Sequence, residues 1–376
     1  MSNRNRCKRA KLPLPCLAEE LIIQILLRVP AKSLMQFKRV CKSWKTLISD
    51  TQFAREHVAT SLTDPNTAFL RLVSSPTEWG RKMVSYSVNT NTNTVDPSTI
   101  LKRRYYKWNG EWFHKIVGSC NGLLCLLDDV DCFTLWNPVT RITSSVFSTD
   151  EGYWVNIHFY GFGYDHVNHV YKLVVGVHVR NVNRTAQYVT KVYNFGANSW
   201  TVIQNIFPSY PSRVTGLGKF VSGTLNWFVN SGGRCMVLSF DLVNQTRSEI
   251  MLPSPTTTCG GNVWCPTLGV LGNFLYLCFY DPTEDHWAVW LMKECWSRWM
   301  VVPRVGSLLL SGRALAVCPF HVSQNGVVLF GSASRDLVVY NSNDGSFKYP
   351  KIKCYLGSVA FTYHESLVSP RCLNHF

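Results

Sequence analysis

Leu17-Ala-Glu-Glu-Leu-Ile-Ile-Gln-Ile-Leu-Leu-Arg-Val-Pro30, followed by Lys32-Ser-Leu-Met-Gln-Phe37 and Val40-Cys-Lys-Ser-Trp44, decides how the first part of this chain is read. Glu20, Gln24 and Arg28 fall at i, i+4 spacing and make one polar stripe, while Leu21, Ile22, Ile23, Ile25, Leu26 and Leu27 fill the rest of a helix. A helix that is apolar nearly all round is buried on more than one side. Pro30 fits the first turn of a second helix, where its missing N–H is no loss, and Leu34, Phe37 and Cys41 recur at i, i+3, i+7. A third short helix carries Cys41, Trp44 and Ile48 on one face. Three short helices ending near Ser49 cannot bury this much apolar surface among themselves, so the segment is expected to be a docking module.

Beyond Phe53 the pattern changes from period 3.6 to period 2, with turn residues every ten or so positions. Five strands end in a recurring aromatic: Leu135-Trp136-Asn137, Val192-Tyr193-Asn194, Ser239-Phe240-Asp241, Val289-Trp290-Leu291 and Val339-Tyr340-Asn341. The period is near 50 residues. Most of these strands follow a Gly-led apolar strand: Asn121-Gly-Leu-Leu-Cys-Leu126, Ser222-Gly-Thr-Leu-Asn-Trp227, Gly272-Asn-Phe-Leu-Tyr-Leu277 and Asn325-Gly-Val-Val-Leu-Phe330. Several short strands per repeat of this length describe a kelch-like propeller blade. Because an unpaired edge invites aggregation, the last strand, about Ser358 to Leu367, is expected to join strands near Ala68 to Val73 and Lys82 to Val88 in one closing sheet. That composite sheet with the five repeats suggests about six blades.

The helical block resembles the F-box motif of a large group of plant F-box proteins, in nearly continuous register from Leu17 through Phe53. The β region resembles the F-box-associated domain of the same family: Ser119-Cys-Asn-Gly-Leu-Leu-Cys-Leu126, Leu135-Trp-Asn-Pro-Val-Thr-Arg141, Gly161-Phe-Gly-Tyr-Asp165 and Val221-Ser-Gly-Thr-Leu-Asn-Trp227 match its recurring motifs. Ala18 and Gln24 depart from the family's usual proline and glutamate, and Asn226 from a frequent histidine. The expected class is α+β and multidomain, with a basic tail over 1–12, a three-helix F-box module over 13–60, a linker near Thr60 to Asn66 and an all-β propeller or propeller-like domain over 66–369.

The resemblance implies a substrate-recognition subunit of a Skp–cullin–F-box ubiquitin ligase, with a Skp-type adaptor as direct partner, cullin and RING subunits reached through it, and a target protein on the β domain. Leu17, Leu21, Ile22, Ile25, Leu26, Pro30, Leu34 and Val40 are expected to contact the adaptor or support the contact, and Phe37, Cys41, Trp44 and Ile48 to pack the module's own core. Arg103, Tyr105, Tyr106 and Trp108, in the basic and aromatic stretch from Lys102, are candidates for target contact. A lectin-like glycan binder, or an F-box scaffold working without the ligase, are the alternative readings.

Charge fits this expectation. The net charge is +15, and residues 1–60 carry 12 Lys and Arg against 4 Asp and Glu, while the other 316 carry 26 against 19. The excess is concentrated on the tail and helical module, as an acidic docking partner requires, so a nucleic-acid partner is not expected. Nor is a membrane: no run reaches the roughly 18 apolar residues a spanning helix needs, and Met1-Ser-Asn-Arg-Asn-Arg-Cys-Lys-Arg9 has charge without the apolar core of a signal peptide. A cytoplasmic or nuclear protein is therefore expected.

No catalytic residue, metal or cofactor is expected. The 14 cysteines lack metal-ligand spacing and are read as reduced, mostly buried thiols. Gly118-Ser-Cys120-Asn-Gly122 resembles a nucleophile elbow, but that device needs a strand, a turn and a helix, whereas Leu123 to Leu127 continues as strand; a hairpin turn is expected. His166 and His169 beside Asp165 read as a polar turn. Among Trp79, Trp108, Trp112, Trp154, Trp264, Trp287 and Trp296, off the repeated aromatic positions, some are candidates for an exposed recognition face and the rest for packing.

Overall fold

A computed structural model describes residues 17–63, 70–74, 83–89, 94–101, 115–127, 131–149, 156–180, 186–203, 206, 213–214, 216–231, 233–253, 266–281, 284–303, 318–322, 326–331, 337–349 and 360–371. Four helices come first: α1 Glu19–Leu26, α2 Ala31–Phe37, α3 Lys42–Ser49 and α4 Thr51–Thr63. The sequence reading expected three. Asp50 starts the fourth by accepting from Phe53 N–H at 2.9 Å, and Phe53, Ala54, His57, Val58 and Ser61 form its buried face. The linker expected from Thr60 is helical through Thr63. Pro30 is the N-cap of α2 rather than its first helical residue; its carbonyl accepts from Ser33 and Leu34.

Among the described residues, every regular element after the helices is a β-strand. Among the described residues six sheets are defined. The first holds β1 Leu70–Ser74, β2 Met83–Asn89 and β3 Thr94–Leu101. The second holds β4 Lys115–Cys120, β5 Leu123–Leu127, β6 Cys132–Trp136 and β7 Phe147–Ser148. The third holds β8 Asn156–Asp165, β9 Val170–Arg180, β10 Ala186–Asn194 and β11 Ser199–Ile203. The fourth holds β12 Arg213–Val214, β13 Lys219–Val221, β14 Thr224–Ser231, β15 Arg234–Asp241 and β16 Arg247–Met251. The fifth holds β17 Thr267–Leu271, β18 Phe274–Asp281, β19 His286–Met292 and β20 Trp296–Pro303. The sixth holds β21 Cys318–Val322, β22 Val327–Gly331, β23 Leu337–Asn341 and β24 Phe347–Lys348, and the last strand is β25 Ala360–His364.

Five sheets are antiparallel and contiguous in sequence; the remaining one is composite, ordered β25-β1-β2-β3. Its register pairs Leu70 with His364 and Ser74 with Ala360, the closing sheet expected from the sequence. The repeated aromatics fall on the third strand of each contiguous sheet, so the period near 50 residues is one blade.

Composition explains the position of each strand within its blade. β5 and β22 are runs of Leu, Val, Cys and Phe, buried along almost their whole length, as strands covered on both faces must be. The outermost strands β11, β16 and β20 carry Ser, Thr, Arg and Glu and lie largely open to solvent, which blunts a free edge.

A second repeated device sets the turns between third and fourth strands. Asn137, Asp165, Asn194, Asp241 and Asn341 each accept, through a side-chain oxygen, a backbone N–H two residues on. Four residues after each, Arg141, His169, Asn198, Gln245 and Gly345 adopt positive φ. Asp165 and His169 place this turn between β8 and β9, and the other four follow a third strand. Asn and Asp favour such turns because their side chains replace a backbone acceptor. Adjacent blades meet at their innermost strands, where Gly163 of β8 leaves room for the Phe220 ring of β13; a Cβ there would lie 2.4 Å from it.

Candidate functional site

The residues expected to meet an adaptor divide by geometry. Leu17, Leu21 and Ile25, four residues apart, form a strip along α1 and are 59%, 53% and 53% exposed; Val40, between α2 and α3, is 63% exposed. Ile22 and Pro30 are half-buried. Leu26 and Leu34 are fully buried and support the strip from behind, in a cluster with Leu27, Ala31, Ile48, Phe53 and Ala54. Exposed apolar side chains in an ordered row, backed by a packed core, mark a surface awaiting a partner.

Of the residues expected in the module's core, Ile48 is fully buried, and Phe37 and Trp44 are half-buried with ring centroids 5.8 Å apart. Cys41 is a correction: it is exposed and caps the start of α3, its sulfur accepting from Trp44 N–H at 3.5 Å. A helix start needs acceptors for its free N–H groups, and this requirement outweighs the burial expected of a cysteine. The Ser43 hydroxyl, 3.1 Å away, and the Trp44 N–H hold its thiol below the usual range. Lys32, Arg39, Lys42 and Lys45 are exposed around the same module. Burial, and secondarily Lys45, push the Lys38 ammonium down.

The module does not stand alone. Leu367, just past the closing strand β25, is a member of its core, and Val139 of the β6–β7 turn packs against it. Asn137 fixes both: its Nδ2 donates to the carbonyls of Ser366 at 3.0 Å and Val368 at 2.7 Å, while its Oδ1 accepts from Val139 and Thr140. The ring of His57 in α4 is fully buried, its Nε2 2.8 Å from the carbonyl of Val29. Neither Leu367 nor Val139 carries a local sequence signal, since both act through contacts distant in the chain. Asn137 was visible as part of a motif, but its bridging role was not.

The helices therefore cover the blade ends bearing the β4–β5 turn, where Gly122 lies against Ser366, and the β6–β7 turn. β4 begins at Lys115 and runs toward that end. Arg103, Tyr105, Tyr106 and Trp108, the candidates for target contact, lie outside the described residues, as do Trp79, Trp112, Trp154 and Trp264. Trp287 is buried, and Trp296 donates its indole N–H to the Met251 carbonyl; both serve packing.

The chemistry-bearing segments noted in the sequence serve the fold. Cys120 ends β4 before a two-residue turn at Asn121 and Gly122, both with positive φ; it is buried, and burial pushes its thiol far up. Asp165 has no exposure. Burial alone would raise its carboxyl, but hydrogen bonds from Asn168 and Lys172 outweigh this and bring it down to about 2. The Lys172 ammonium lies 2.8 Å from it and also donates to the Leu242 carbonyl of the next blade. Among the described residues Cys235 departs from the reduced reading, being disulfide-bonded.

An F-box domain matches residues 14–56, and the F-box associated beta propeller domain matches residues 79–370. This chain belongs to the family of F-box proteins with an F-box-associated propeller. Its relatives include F-box/kelch-repeat protein At3g23880 of Arabidopsis thaliana, 32% identical over 94% of this chain and 96% of that one. F-box protein At4g19940 of the same plant is 25% identical over 90% and 84%.

Proposed function

We propose that this chain is the substrate receptor of a Skp–cullin–F-box ubiquitin ligase, working in the cytoplasm or nucleus without a catalytic residue of its own. The observation that carries the reading is the strip Leu17, Leu21 and Ile25, exposed together with Val40 on a helical module that is packed onto the propeller through Leu367 and Val139. An acidic Skp-type adaptor would cover the strip and meet the surrounding lysines, and cullin and RING subunits would follow through it. The target would be held on the propeller, at the blade ends left free by the helices. Catalysis then comes from effective concentration and orientation, and the packed junction between module and propeller keeps that orientation fixed.

The test is co-purification with a plant Skp-type adaptor and cullin, comparing the native chain with Leu21→Asp, Ile25→Asp. These positions are exposed, so the variant keeps its fold; Leu26→Asp would destroy the core instead. Capture of adaptor and cullin by the native chain, with at least ~100-fold weaker adaptor binding by the variant, is expected. Equal adaptor binding by both chains would overturn the assignment of the strip, and adaptor capture without cullin would overturn the ligase reading.

A further inference from the structure

On the turn from β18 to β19, Asp281 and His286 are directly paired across the two strands, so their side chains share one face. Glu284, two residues before His286, completes a group whose ligand atoms all lie within 4.8 Å of one another. His286 is 8% exposed, and its Nε2 is buried without a hydrogen-bond partner.

Nδ1 lies 3.3 Å from the Glu284 carbonyl oxygen, which can only accept, so Nδ1 donates to it. Nε2, left without a hydrogen-bond partner, lies 3.4 Å from Glu284 Oε2. A cation held between these two atoms would satisfy both. Bonds of about 2.0–2.1 Å in tetrahedral geometry put neighbouring ligands roughly 3.4 Å apart, which matches. The backbone contact at Nδ1 is the orienting hydrogen bond that metal-bound imidazoles make. Arg298 is the competing cation, but its guanidinium is 3.9 Å from Glu284 Oε2 and 54% exposed, and it leaves Nε2 unsatisfied.

We propose that Asp281, Glu284 and His286 bind a divalent transition-metal ion. One imidazole nitrogen and two carboxylate oxygens suit Zn²⁺ or Mn²⁺, and three protein ligands leave a fourth position for water or a carboxylate from a bound protein. By its place in the blade the turn lies at the end away from the helices, so the ion would stiffen the face opposite the helical module.

The test is calorimetric titration of Zn²⁺ into the metal-stripped full chain, in a Cys41→Ser, Cys295→Ser background that removes the two free thiols exposed among the described residues. Glu284→Gln and His286→Gln are the comparisons; Glu284 is 59% exposed, so its variant reports on the site even if loss of His286 perturbs the strand. One bound ion per chain is expected, with affinity falling at least ~10-fold in each variant and a zinc-dependent rise in Tm that both variants lose. No binding, or binding equal in the native chain and Glu284→Gln, would overturn the proposal.

Discussion

Arg71 and Glu365, 294 residues apart in the chain, meet through Arg71 Nη2 and Nε and the same Glu365 carboxylate oxygen, each at 2.8 Å. Arg71 lies on β1 and Glu365 directly follows β25, so the pair clasps the sheet that joins the two ends of the propeller. It is 17% and 5% exposed, and breaking such a pair strands one charge. Glu365→Leu or Arg71→Met alone should cost about 2–4 kcal/mol, while the double variant should recover part of the loss. Urea unfolding of the four chains measures the coupling; additive losses would mean that the backbone ladder alone closes the ring.

Leu367 belongs to the helical core although it is attached to the propeller. Leu367→Ala should cost the helical module about 2–4 kcal/mol and leave the blades intact. Hydrogen exchange should therefore quicken over residues 19–63 and not over β9 or β14. Uniform change across both would show that module and propeller unfold as one unit.

Asp165 is held down to about 2 from 3.8. A depressed folded value means its stabilisation is present above pH 4 and is lost as pH falls toward 2. Asp165→Asn removes that dependence and leaves the buried Lys172 ammonium without its counter-charge, for a loss of about 3–5 kcal/mol at pH 7. Thermal unfolding between pH 2 and 7 compares the two chains.

His321 titrates in a different window. Burial, with a smaller contribution from His364, lowers it from 6.5 to about 4. The neutral form is the folded form, so stability is full above pH 6.5 and declines as pH falls toward 4. In His321→Gln the slope of Tm against pH between 4 and 6.5 should flatten, and an unchanged slope would assign the acid sensitivity elsewhere.

Cys41 and Cys120 offer a kinetic comparison within one chain. The first is an exposed helix cap with a lowered thiol, the second a buried strand residue with a raised one. Thiolate availability sets alkylation rate, so iodoacetamide at pH 7.5, followed by peptide mass spectrometry, should label Cys41 at least ~100-fold faster. Similar rates would show that β4 opens readily.

The blade period and the closing strand were legible because both rest on local pattern: alternating apolar runs and aromatics near fixed spacing. Glycine marked the turns before Leu123 and Thr224, where two successive residues take positive φ. The turns at Asn137, Asp165, Asn194 and Asp241 were less legible, since their positive-φ residues are Arg141, His169, Asn198 and Gln245 rather than glycine. α4 escaped notice because its buried face is interrupted by His57 and Ser61, whose burial depends on distant partners. The exposed and supporting halves of the adaptor strip could not be separated from α1 alone. Ile25 and Leu26 are neighbours of nearly equal hydrophobicity, and the one faces solvent while the other is buried because of how α1 packs on the remaining helices and on Leu367 and Val139.

Synthesis order gives the shared sheet a further meaning. A ribosome adding about 5–20 residues per second releases β1 on the order of 15–60 s before β25 can join it. Through that interval Arg71 has no clasp, and the helices, already out of the exit tunnel, lack the leucine that anchors them. A chain stopped before residue 360 presents the open edge of β1 together with a helical module that lacks Leu367, and an open strand edge invites pairing with other chains. One short late segment, residues 360–367, thus completes both the closing sheet and the helical core.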